Sequence, residues 1–197
     1  MLDAELLREM SRDEVNALPI QRYEGEVRLV ANAQELERAV SAWRDERVAG
    51  FDTETRPAFR PGESYLPALA QIAVANAVYL LPLQRFDCSA ALRALLEAPH
   101  TVKAGVGLPD DFRALRKSFE FAEKAMVDLG AVARRHGLKQ SGVRYLAARF
   151  LGTRIPKGAK TSNWAAQRLS PQQIAYAATD AWICRELYLK FEAMSLL

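Results

Sequence analysis

The stretch VAGFDTET, residues 48–55, decides the fold. Val48, Ala49, Gly50 and Phe51 form a short apolar run that suits a largely buried strand. Side chains alternate faces along a strand, so Asp52 and Glu54 point the same way. They stand at the strand's C-terminal end, where open α/β sheets place their sites. Two carboxylates on one face cannot be desolvated together without a cation, because their repulsion drives one of them to protonate. A site built from oxygen alone suits Mg²⁺ or Mn²⁺. The alternative is a solvated strand end facing a lysine, and the apolar residues ahead of the pair argue against it.

Working outward, the chain reads as an α/β domain with a mixed sheet. Residues 26–31 and 48–54 read as strands, with an amphipathic helix over residues 33–46 that carries Leu36, Val40 and Trp43 on one stripe. Residues 55–67 hold three prolines and Gly62 and read as a loop. Strands follow at residues 68–75 and 78–81, then a helix at 90–97 and a strand at 102–106. The remainder is expected to be helical, over about residues 110–117, 129–136, 143–150 and 171–191, with Gly137 and Gly152 placed as C-caps. Residues 1–22 read as a helical N-terminal extension, with Ser11 and Glu14 at capping-box spacing, and residues 23–197 as one domain.

Composition narrows the class. With 197 residues, half of them apolar and 26% charged, the chain suits one soluble globular domain rather than a disordered one. The N-terminus lacks the basic lead and apolar core of a secretory signal, and residues 66–83 are interrupted by Pro67, Gln71, Asn76 and Pro82, which speaks against a membrane span. Cys88 and Cys184 lie far apart and form no metal-spaced cluster, so a reduced, cytoplasmic protein is expected. The net charge is only +3, but residues 129–179 contain no acid and nine lysines and arginines. Such a segment predicts either a phosphate-attracting surface or a solvated face balanced by acids elsewhere.

Two further motifs carry chemistry. Tyr176 and Asp180 stand four apart in the last predicted helix and share one face. Alone, the pair also fits a core tyrosine satisfied by a nearby acid. In KAGVGLPDDF, residues 103–112, a strand runs through glycines into a helix, and Asp110 or Asp111 either caps that helix or projects into a site.

Taken together, the three motifs resemble those of the DEDD 3′→5′ exonucleases, in order and at matching intervals. Asp52 and Glu54 match the first, Asp111 the second, and Tyr176 with Asp180 the third; the tyrosine places the chain in the DEDDy branch, with RNase D and the Werner syndrome protein's exonuclease domain. The flanking stretches VKAGVGLPDDFRAL and SNWAAQRLSPQQIAYAATDA are similar to that family as well, so the resemblance spans nearly the whole chain. It implies an RNase H-like, DnaQ-like sheet flanked by helices. It also implies hydrolysis from the 3′ end to nucleoside 5′-monophosphates, with Asp52, Glu54, Asp111 and Asp180 holding two divalent cations, Mg²⁺ or Mn²⁺. Tyr176, with an ordinary pKa near 10, is expected to orient the attacking water rather than take its proton.

Substrate contacts are expected from Thr53 and Thr55, and from Arg154, Lys157 and Lys160 in the loop before Asn163 and Trp164. Trp164 reads as packing, and Tyr23, Trp43 and Trp182 as core. The substrate expected is nucleic acid, DNA or RNA, with a single-stranded or recessed 3′ end, because the sequence ends shortly after its last helix without the C-terminal helical domains of full RNase D. Two other readings are a non-catalytic nucleic-acid-binding protein on the same fold, which would usually have lost one of the acids, and an RNase H-like endonuclease, which would not need the Tyr-x-x-x-Asp pairing.

Overall fold

A computed structural model of the chain describes residues 3–60, 62–156 and 161–197. Six strands form one mixed sheet: β1 (Glu26–Leu29), β2 (Val48–Thr55), β3 (Pro67–Ala73), β4 (Ala77–Pro82), β5 (Val102–Gly105) and β6 (Met126–Asp128). Their spatial order is β1-β4-β3-β2-β5-β6. The hairpin pairs β2–β3 and β3–β4 are antiparallel, whereas β1–β4, β2–β5 and β5–β6 are parallel. Strands β2, β5 and β6 therefore end along the same side of the sheet. The helices are α1 (Ala4–Leu7), α2 (Arg12–Ala17), α3 (Ala33–Trp43), α4 (Ser89–Glu97), α5 (Leu108–Leu115), α6 (Leu129–Arg135), α7 (Val143–Leu151) and α8 (Pro171–Ala193).

Alternation along the strands sorts these helices into two layers. Ala49 and Phe51 of β2, with Ala70, Ile72, Tyr79 and Leu81 of the hairpin strands, pack against Trp43 of α3, Leu92 and Leu96 of α4 and Phe112 of α5. The other face is covered by α8, with Leu69, Ala73, Val78 and Leu80 meeting Ala177, Ala178 and Ala181. Helices α6 and α7 pack beside it through Leu129, Leu146 and Phe150 against Ile183, Leu187 and Phe191. The central strands β3 and β4 are buried along their entire length, as expected for a sheet covered on both faces.

Helix α8 starts at a capping box between Ser170 and Gln173, with Pro171 in the first turn, the arrangement that satisfies the orphan amides of a helix start. At 23 residues it is about 34 Å long and crosses the sheet. It approaches β2 closely because residue 50 is glycine: a methyl group there would collide with the Ala181 carbonyl oxygen and lie 2.9 Å from the Arg185 amide nitrogen.

The structure departs from expectation in one element. Residues 126–128 are a strand, not part of a helical remainder; three residues are too few to carry a periodic signal. The N-terminal helices form, with both halves of the Ser11–Glu14 capping box present. They engage three of the nine cations of the one-signed segment. Arg149 donates to the carbonyls of Glu5, Leu6 and Arg8, Arg154 donates to Leu18 through Nε at 3.0 Å, and Lys139 pairs with Glu9 at 3.3 Å. The acid-rich start of the chain thus lies against the acid-free stretch. Among the described residues, no helix is long and apolar enough to cross a membrane, and both cysteines are free and buried.

Replacing Gly50 with alanine is expected to lower stability by about 1–3 kcal/mol, the range for overpacking against backbone that cannot move aside. The midpoint of urea unfolding measures it, and an unchanged midpoint refutes the close approach. Arg149→Leu is expected to leave the sheet intact while raising amide exchange across residues 4–17, read by mass spectrometry.

Candidate active site

Strand β2 holds Asp52 and Glu54 on the face that α8 covers, since Gly50, two positions earlier, meets Ala181 of that helix. Asp180, one residue before Ala181, descends from α8 onto the same place. Oxygens of Asp52, Glu54 and Asp180 all lie within 4.8 Å of one another. Asp180 and Glu54 are buried and Asp52 is half-buried.

Asp111 arrives from the opposite layer. It sits in the first turns of α5, and its Oδ1 accepts a 2.6 Å hydrogen bond from the Thr53 hydroxyl. It stands outside the tight trio, yet its charge is felt there. Burial, then the charges of Asp111, Asp180 and Glu54, raise Asp52 well above the carboxylate range, with the Thr53 amide opposing at 2.9 Å. Burial likewise raises Asp111 to about 6, against the Thr53 hydrogen bond and helped by the charges of Asp110 and Asp128. Asp110 instead points outward and pairs with Arg113 at 2.6 Å. Neither aspartate caps α5; its N-cap is Gly107.

Tyr176 lies one turn before Asp180 on α8. Burial and the carboxylates of Asp180, Glu54 and Asp52 push its phenol far above its ordinary value, and its hydroxyl hydrogen-bonds to Asp180. The ring rests on Trp164, with centroids 6.0 Å apart. Trp164 is buried, as its packing role requires. Its loop is held by Gln173, whose side-chain amide donates to the Asn163 carbonyl at 3.2 Å and the Ser162 hydroxyl at 3.0 Å. Trp43 is core, whereas Tyr23 and Trp182 are only half-buried and lean on one another at 5.8 Å.

The donor set fits a hard divalent cation: carboxylate oxygens only, gathered where their repulsion raises the proton affinity of the group in the middle. Gln71, directly across the ladder from Asp52, is fully buried with neither amide atom hydrogen-bonded, so the interior beside Asp52 is polar rather than apolar.

The expected substrate contacts fare differently. The Thr53 hydroxyl is already given to Asp111. Thr55 is half-buried at a register shift in the β2–β3 ladder. Lys157 and Lys160 lie outside the described residues. Arg154 is joined to the N-terminal segment through its backbone and its Nε. Sequence reasoning missed Asp128, a buried carboxylate at the end of β6 whose Oδ2 accepts from Gly107 and Leu108. Its position just ahead of an apolar helical run reads as an N-cap, but a bond reaching back 20 residues leaves no local trace.

Comparison with known proteins agrees with this geometry. Residues 27–195 match the model of a 3′-5′ exonuclease family. The chain is 30% identical over 208 residues to the human exonuclease mut-7 homolog, covering 90% of this chain and 23% of that protein. It is 30% identical to ribonuclease D of Haemophilus influenzae, covering 82% of this chain and 40% of that one. The chain thus spans well under half the length of these relatives. Among solved structures, the exonuclease domain of Aedes aegypti Nibbler superimposes with a TM-score of 0.77 at 23% identity, covering 90% of this chain and 92% of that one, and the sheet order with its flanking helices is the expected RNase H-like arrangement. By fold and by sequence, the chain belongs to the 3′-5′ exonuclease domain family.

Proposed function

We propose that the chain hydrolyses nucleic acid from its 3′ end, releasing nucleoside 5′-monophosphates, with Asp52, Glu54, Asp111 and Asp180 holding two divalent cations, Mg²⁺ or Mn²⁺. The observation that carries this reading is the convergence of three carboxylates from β2 and α8 beneath a tyrosine hydroxyl. Bound there, the cations would lower the pKa of an attacking water and stabilise the leaving 3′-oxygen.

The protein's own residues do the rest. Asp52, whose carboxyl feels the charges of Asp111, Asp180 and Glu54, would help to hold the cations together with them. Glu54 and Asp180, the acids that act on Tyr176, would hold a cation with Asp52, and Asp111, steadied by Thr53, would add a fourth carboxylate. With its pKa pushed upward, the Tyr176 phenol keeps its proton at neutral pH and cannot serve as base; it orients the attacking water through its hydroxyl oxygen. Trp164 keeps that ring from turning away.

The names of the relatives, ribonuclease D among them, support a nucleic-acid substrate, and we extend it to a single-stranded or recessed 3′ end of RNA or DNA. A non-catalytic role on this fold is disfavoured because all four acids and the tyrosine are present.

Digestion of 3′- and 5′-labelled oligonucleotides with Mg²⁺, Mn²⁺ or chelator tests the reading: stepwise loss from the 3′ end is expected with metal, and intact termini under every condition would sink it. A labelled circular substrate should remain closed, whereas opening would identify an endonuclease. Asp52→Asn and Asp180→Asn should abolish turnover, and Tyr176→Phe should lower kcat by about 10²-fold. The raised Asp111 carboxyl predicts a pH signature in chelator. A folded-state value near 6 against an ordinary 3.8 means that folding favours the protonated form. The metal-free protein is therefore destabilised most above pH 6, and that penalty vanishes as pH falls through 6 toward 3.8. Asp111→Asn should accordingly melt higher than wild type at pH 8, with the difference closing near pH 4.

A further inference from the structure

The helix that carries Asp111 begins without a cap of its own. Its N-cap is Gly107, a residue with no side chain whose φ of +86° suits glycine. The second helical residue is Pro109, which has no amide proton, and the Asp110 amide donates to the Gly107 carbonyl at 3.0 Å. That leaves the amides of Gly107 and Leu108. Both are taken by one oxygen of Asp128, at 2.6 and 2.9 Å. The other oxygen accepts from Ala131 at 2.6 Å, capping α6. A single carboxylate, 8% exposed, therefore joins the N-termini of α5 and α6. These are charge-assisted bonds to the positive ends of two helices, the strong kind. The turn has no slack: a Cβ on Gly105 would meet the Leu108 side chain and the Phe51 carbonyl, each at 2.5 Å.

We infer that Asp128 is the positioning residue for Asp111, fixing the first turn of α5 so that the Asp111 carboxylate is kept on the side of the cluster where its charge reaches Asp52. The inference rests on the metal-site reading above and deepens it. Asp128 is not itself a ligand, because both its oxygens are already used by backbone amides. Asp111 is held from two directions: its carboxylate by the Thr53 hydroxyl, and its backbone by Asp128. Since Asp111 alone comes from the α5 layer, it is the acid whose placement a small rotation of that helix would spoil.

The test is a cycle read by Mn²⁺ binding, followed by electron paramagnetic resonance, in wild type, Asp128→Asn, Asp111→Ala and the double variant. Asp128→Ser joins the set because serine can still cap α6 while falling short of the α5 amides. Asp128→Asn and Asp128→Ser are expected to fold and to weaken Mn²⁺ binding by about 10–100-fold, the usual effect of losing a group that orients a ligand. In the Asp111→Ala background, neither should weaken it further. On oligonucleotide, kcat should fall by a similar factor with KM nearly unchanged. Additive loss in the double variant, wild-type Mn²⁺ binding in both Asp128 variants, or unfolding of both would each overturn the inference. Wild-type protein that binds Mn²⁺ through Asp111 but cleaves no terminus would instead refute the exonuclease reading and leave this one standing.

Discussion

Helix α8 can lie directly on β2 because residue 50 has no side chain. The rest of the site depends on that contact. Ala177, Ala178 and Ala181 continue it along the helix, so backbone meets backbone over the middle of the sheet. Asp180 sits next to Ala181 and is carried down with it. Asp52 and Glu54 follow Gly50 at steps of two and share its face. A larger residue at the crossing would lift the helix and part the acids, so packing of the smallest side chains sets the spacing of the most polar ones.

That spacing is unfavourable for the bare protein. Folding drives Asp52, Glu54 and Asp180 together in a buried place, and the cost appears as the raised proton affinity of Asp52 and, more mildly, of Asp111. The sheet tolerates it because the surrounding core is large: strands β3 and β4 are buried throughout and covered on both faces. A divalent cation would relieve repulsion stored in this way, and under the proposed function metal affinity and folding are linked through the same side chains.

Much of this is legible in the sequence, and the residues show why. The pair in β2 follows from strand alternation, and the pair in α8 from helical spacing; both periodicities are local. Asp111 was different. Its own surroundings read equally well as a helix cap, and only the resemblance to a family pattern separated it from Asp110, which the structure turns outward to Arg113. Strand β6 was invisible because three residues make no period. The basic stretch left two readings open, and the guanidinium of Arg149 and the Nε of Arg154 turn to N-terminal carbonyls more than a hundred positions away. Contacts of that range are set by topology, and composition does not record them.

The same distinction explains how the acids differ in rigidity. Asp52 and Glu54 belong to an eight-residue strand paired with β3 along their stretch and with β5 up to Gly50, and Asp180 to the interior of a 23-residue helix. Asp111 belongs to the first turns of an eight-residue helix whose N-cap is glycine. A short helix with an uncapped start frays readily, so the placement of Asp111 has to be supplied from outside the helix, by Thr53 from β2 and by Asp128 from β6. Strand β6 is short, but it pairs in parallel with β5 so that Asp128 lies opposite Gly105. The edge of the sheet thereby reaches the turn that the central strands do not, and the fourth carboxylate is held by the same framework as the other three.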